Sequence, residues 1–145
     1  MNKNKGFSLV ELIVVVAIMA VLVGILAPAY LSYVEKTRRG TDENMAEEVR
    51  HTVEIATADI CVYDEVMDNM GTNGCVLTFA KNAQIQAGAG TMAKMQEALD
   101  DVYGTKKFDP KSKKYKAKSG YKVTITAAGN TSGAGTAFKV EGVWY

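Results

Sequence analysis

No charged residue interrupts the chain from Leu12 to Leu31, and only beyond that stretch do apolar and polar positions begin to alternate. At about 1.5 Å per residue, this run makes a helix about 30 Å long, enough to cross one hydrocarbon core. Tyr30 and Tyr33 lie at its far end, where aromatic rings favour a membrane–water boundary. Glu35, Lys36, Arg38 and Arg39 follow outside it. Further on, Met45, Val49, Val53, Ala56, Ile60, Tyr63, Met67 and Met70 fall three or four apart, the spacing of one helical face. One long helix is therefore predicted from about Ser8 to about Met67, with Gly40 as its weak point. Its first half is apolar all round and its second half carries a single stripe.

Gly71-Thr72-Asn73-Gly74 ends that helix in a turn. Residues 75–90 show no clear period and finish in Ala87-Gly88-Ala89-Gly90. Thr91 is expected to cap a second helix with the stripe Met92, Met95, Leu99 and Val102, closed by Gly104. After Pro110 the period falls to two. Tyr121, Val123, Ile125 and Ala127 alternate with Lys122, Thr124 and Thr126, which predicts a half-buried strand. Ala128 to Gly135 reads as a flexible connection, Ala137 to Trp144 as a returning strand, and Lys113 to Ala117 as a third strand. The predicted fold class is α+β, a long helix laid on a small antiparallel sheet. The roughly 110 residues after residue 35 suffice for one small domain.

Glu11 stands at the head of the apolar run, and no other charge appears until Glu35. A carboxylate inside a membrane helix costs roughly 2.5–3.5 kcal/mol on insertion scales, so it needs a partner. The preceding Met1-Asn2-Lys3-Asn4-Lys5-Gly6 is short and basic, and its small residue comes before the apolar stretch. An ordinary secretory signal places the small-residue cleavage site after that stretch. Cleavage after Gly6 would give Phe7 a free cationic amine one helical turn from Glu11.

Lys3-Asn4-Lys5-Gly6-Phe7-Ser8-Leu9-Val10-Glu11-Leu12 closely resembles the processing site of type IV pilins and pseudopilins. The resemblance is strong over residues 1–35 and implies cleavage after Gly6 by a membrane-embedded peptidase that also methylates Phe7. It divides the chain into a leader (1–6), a transmembrane and filament-core helix (7–34) and an extracytoplasmic head (35–145) that includes the rest of the long helix. It implies a structural rather than enzymatic role, with no cofactor and no metal. The expected product is a helical homo-oligomer, built by a pilus assembly machinery from a single-pass precursor of the cytoplasmic membrane and displayed at the cell surface, where adhesion is a family role. In the filament, Glu11 is expected to meet the Phe7 amine of a neighbouring subunit, offsetting the desolvation of both charges and setting axial register. A pseudopilin of a secretion or DNA-uptake system shares the same processing site. A membrane-anchored binding module that never polymerises is the reading from another class.

Pro28 offers no N–H to the Gly24 carbonyl, and glycine weakens the same turn. A kink at Gly24 and Pro28 is expected in the free subunit, with local melting in the filament. Cys61 and Cys75 are the only cysteines and His51 the only histidine, too few for a closed zinc site. In the oxidising setting of an extracytoplasmic head, a Cys61–Cys75 disulfide is expected. Closing that loop would be worth about 3 kcal/mol in the chain-entropy account.

Residues 35–70 carry ten acids and four bases, whereas residues 106–122 carry eight lysines and only Asp109. Three readings of Lys106, Lys107, Lys111, Lys113, Lys114, Lys116, Lys118 and Lys122 stand in this order: a solvated edge, a contact with the acidic helix of the next subunit, and nucleic acid phosphates. Without residues 1–6 the chain has 15 bases and 16 acids, so net charge makes no general case for nucleic acid.

Enzyme signatures are poor. Gly88-Ala89-Gly90-Thr91-Met92-Ala93, with Asp109 downstream, matches a dinucleotide fingerprint but lacks the buried strand such a site requires. Asp100 and Asp101 lack the alternating oxygen ligands of a calcium loop. No Gly-x-Ser-x-Gly elbow accompanies His51. Asn130-Thr131-Ser132 is a formal glycosylation sequon, of little meaning in the bacterial setting that the resemblance implies.

Overall fold

A computed structural model of the chain describes residues 6–71, 74–87, 92–127 and 138–145. The leader before Gly6, the centre of the 71–74 turn, the Thr91 cap with the Gly88–Gly90 fingerprint, the Asn130 sequon, the 128–135 connection and Ala137 lie outside these residues. The chain divides into two compact units, Met1–Thr37 and Arg38–Tyr145.

Helix α1 (Leu9–Ala56) enters both units. In the first unit its apolar side chains are exposed on every side. In the second, Ala46, Val49, Val53 and Ala56 repeat at three and four residues and are buried together, as an amphipathic stripe requires. The helix stops earlier than predicted, and not at Gly40. At its end the Thr57 hydroxyl donates to the Glu54 carbonyl at 2.7 Å, and the backbone tightens through Ala58 N–H to Ile55 O and Asp59 N–H to Ala56 O, each near 3 Å. Such local bonds compete with the regular ladder. Asp59, extended and accepting from Cys61 N–H at 2.8 Å, then caps a separate helix α2 (Ile60–Asp68). The predicted single helix to Met67 is therefore two helices, broken at Thr57–Asp59.

Three strands follow, β1 (Cys75–Ala80), β2 (Gly120–Ala127) and β3 (Phe138–Trp144), in one antiparallel sheet of order β1-β2-β3. The register sets Leu77 opposite Val123, and Val123 opposite Gly142. Cys75, Leu77 and Phe79 join Tyr121, Val123 and Ile125 on the inner face, in the same core as Val49 and Val53 of α1. The Tyr121 ring lies over Gly142, where a β-carbon would fall 1.7 Å from the tyrosine oxygen. That close approach is open only to glycine.

The third strand is β1, not Lys113–Ala117. The latter forms a one-turn helix α4 (Lys113–Lys116), started by Ser112, whose hydroxyl accepts from Tyr115 N–H at 3.4 Å. Helix α3 (Ala93–Tyr103) falls where the second helix is predicted, but its buried stripe ends in Tyr103 and not Val102, which is exposed. It stops at Gly104, whose φ of 54° breaks the right-handed turn. Its free N-terminal donors are served from outside: the Glu65 carboxylate of α2 accepts from Lys94 N–H at 3.0 Å and Met95 N–H at 2.9 Å. An acid at this position also meets the positive end of the helix dipole.

Candidate membrane and assembly segment

Gly6 and Phe7 precede the helix in non-helical backbone, and Phe7 is 90% exposed. Ser8 stands at the cap position. Its N–H donates to Glu11 Oε2 at 2.9 Å, while Leu12 N–H closes the first turn on the Ser8 carbonyl at 3.3 Å. A serine followed three residues later by glutamate is the capping-box pattern, in which the acid reaches back to the cap N–H. Ser8 as a helix cap is the element that sequence reasoning missed, although Ser8-Leu9-Val10-Glu11 carries that signal. The bond holds the carboxylate at the helix start, facing the Phe7 end. Phe7, Val10, Glu11, Val14 and Val15 line one shallow, largely apolar groove along this turn.

Among the described residues, α1 is the one helix long and apolar enough to cross a membrane, with a mean hydropathy of 3.1 over its most apolar 18 residues. None of that window is buried within the protein. The helix passes Gly24 and Pro28 without a break. Open space surrounds Gly24 within the chain, and Pro28 still leaves the Gly24 carbonyl without its ladder partner.

Cys61 and Cys75 are free thiols in this structure, so the expected Cys61–Cys75 disulfide is not formed here. The periodicity of α2 buries Val62 and Val66 and leaves Cys61 exposed, whereas the alternation of β1 turns Cys75 inward. There its sulfur lies 3.3 Å from the Met92 sulfur, and burial, then the nearby Glu65 carboxylate, push its thiol pKa up.

The lysine-rich segment is partly engaged by its own chain. Asp42 is buried on α1, and its two oxygens accept from Lys111 N–H and Ser112 N–H, each at 2.7 Å. Tyr115 donates to Glu43 at 2.5 Å, Lys114 lies 3.8 Å from Glu43, and Lys106 lies 3.9 Å from Glu48. The acidic face of α1 at Glu43–Glu48 therefore meets the basic segment within one molecule. Lys111 pairs with Asp109, and that hydrogen bond is the main cause of the lowered Asp109 pKa.

A capped acid thus stands at the head of an apolar stretch left unburied, in a chain with a small, pilin-like α+β head. A family profile, the prokaryotic N-terminal methylation motif, matches residues 1–27. The chain is similar to Prepilin peptidase-dependent protein A of Clostridium perfringens, 28% identical over 127 residues that cover 86% of each chain. It is also similar to Fimbrial protein Q and to the Type IV major alpha-pilin of Moraxella bovis, each 47% identical over 38 residues. That match covers 26% of this chain and 24% of each relative. No solved structure matches the chain significantly.

Proposed function

We propose that this protein is a structural subunit of a type IV pilus-like extracellular filament, released from its leader after Gly6, methylated on Phe7 and assembled through α1. The observation that carries the reading is the placement of Glu11, fixed one turn from Phe7 at the start of a helix whose most apolar 18 residues are unburied in its own chain. A new amine on Phe7 would find the Glu11 carboxylate of a neighbour as its counter-charge, and side-by-side helices would cover the exposed valines and leucines. That contact replaces the lipid around the helix as the subunit leaves the bilayer, since apolar area left facing water would cost about 25 cal/mol per Å². Weakened backbone at Gly24 and Pro28 gives the helix a place to melt as the subunit leaves the bilayer.

The test is to shear surface material from the cells that make the protein, image it, and measure the intact mass of its main band. Filaments built of chains that begin at Phe7 and carry one added methyl group are expected. Filaments of chains still beginning at Met1 would defeat the processing step. A processed chain confined to the cell envelope, with no sheared filament, would move the reading to a pseudopilin.

A further inference from the structure

Charge in the head is sorted towards opposite ends of its sheet. Where β1 ends and β2 begins, Lys81 N–H donates to Ser119 O at 3.0 Å, Asn82 N–H to Phe108 O at 2.8 Å, and Ser119 N–H to Tyr145 O at 2.8 Å. These ties gather Lys81, Lys107, Lys116, Lys118 and Lys122 at one edge, beside Asp109, already held by Lys111, and Tyr145. At the other end, Cys75 meets Met92 and the Tyr63 ring lies 4.8 Å from that of Phe138, which seats α2 and the start of α3 there. Residues 59–68 and 93–103 carry seven acids and one base. Asp59, Glu97 and Asp101 line a groove between α2 and α3 whose walls include Ala56, Val62 and Ala98, with Lys94 paired to Glu97 at its rim.

These two surfaces do not serve each other within the molecule. A six-residue strand at about 3.3 Å per residue separates the ends by roughly 17–20 Å, more than twice the screening length of about 8 Å at physiological salt. Among the described residues, Lys107, Lys116 and Lys118 have no ion-pair partner, and neither do Asp64, Asp68 and Asp101. Two acids of α1, Glu43 and Glu48, are already met by Lys114 and Lys106 of the same chain. The groove suits a lysine, with apolar walls for the stem and carboxylates for the ammonium.

We infer that the lysine edge of one head docks on the acidic α2–α3 face of a second copy of this chain. Two different surfaces meeting in this way form a head-to-tail contact, which propagates as a helix instead of closing as a dimer. The inference rests on the filament reading and adds to it the head surfaces that select and orient the neighbour. Charge complementarity of this kind acts chiefly on specificity and encounter rate.

The test uses the full chain in cells that assemble it, with Lys107, Lys116 and Lys118 changed to Glu in one variant and Asp64, Asp68 and Asp101 changed to Lys in another. Each is expected to lower the yield of sheared filament by roughly tenfold or more, the equivalent of about 1.4 kcal/mol per contact. Cells co-expressing the two variants, where reversed surfaces face one another, are expected to recover most of the yield as mixed filaments. Thermal melting of each variant in detergent separates lost docking from lost folding, and unchanged melting with lost assembly supports the contact. Wild-type yield from either variant alone overturns the inference and leaves the filament reading intact. So does a lysine variant that assembles normally but no longer retains duplex DNA on its filaments, which would assign that edge to nucleic acid. Failure of the wild type to form filaments would defeat the underlying reading itself.

Discussion

Val21 and Val23 are each 63% exposed, whereas Val49 and Val53, later in the same helix, are fully buried. Residue type and helical geometry are shared, so the difference lies in what the rest of the chain offers. The later pair has the inner face of the β1-β2-β3 sheet to pack against, in a core that includes Leu77, Phe79 and Val123. The earlier pair has nothing from its own unit. Full burial of a side chain of this size is worth about 1.5–3 kcal/mol. The earlier stretch of α1, which forgoes this at its apolar positions, fits a membrane-anchored precursor and, in the proposed filament, contact with other copies of itself.

The largest expected effect comes from Glu11, the one acid in the apolar run of α1 before Glu35. Glu11→Val should leave membrane insertion intact or improve it, because a costly carboxylate is gone, while filament yield collapses. Glu11→Gln sharpens the point. Glutamine still accepts from the Ser8 N–H as a capping-box residue does, so the helix start is preserved and only the charge is lost. Fractionation and shearing read the two outcomes. Normal filament yield from Glu11→Gln would reduce Glu11 to a cap and sink its pairing with the Phe7 amine.

Where the sequence was legible, a period or a short motif was set by one local rule. The Val49–Val53–Ala56 stripe, the alternation of Tyr121, Val123 and Ile125, and the Gly104 stop all appear in the structure as read. The break at Thr57–Asp59 was hidden because the apolar stripe continues across it, from Ala56 to Ile60. Only the short polar side chains of Thr57 and Asp59, which bond their own backbone, mark the end of α1. Cys75-Val76-Leu77-Thr78-Phe79-Ala80 does alternate, but its outward positions hold Val76 and Ala80, so apolar residues on both faces blurred the period. The Glu65 cap on α3 was out of reach, since it joins residues about 30 positions apart.

The second way to break the comparison is to cut the same kind of side chain from each region. Phe79→Ala, at a fully buried position of β1, should destabilise the head by about 3–5 kcal/mol, from lost transfer energy and the cavity left behind. Leu22→Ala, in the exposed part of α1, should change head stability by no more than about 0.5 kcal/mol, as substitutions away from a core do. Its cost should appear instead as weaker membrane retention and filament yield. Denaturant melts of both full-length variants in detergent provide the measurement. Equal losses of head stability would mean that the first part of α1 is held by the head after all.

The smallest effect separates the two cysteines. Cys61 is exposed and Cys75 is buried, with a thiol pKa raised first by burial and then by Glu65. In the unfolded chain a thiol ionises near pH 8.5. Below that pH both states hold the Cys75 proton, and its burial costs nothing extra. As pH rises from there through the higher folded value, the unfolded chain loses its proton first and folding stability falls. The raised tyrosines, Tyr103 and Tyr121, begin to act in the same direction only from about pH 10, so the window just above pH 8.5 reports the thiol. Melting between pH 8 and 9.5 should show a shallow decline that Cys75→Val removes. A maleimide should label Cys61 quickly in the folded protein and Cys75 only after unfolding. If the folded protein takes no label at Cys61 until a reductant is added, the two sulfurs are bonded in solution and the free-thiol arrangement is wrong.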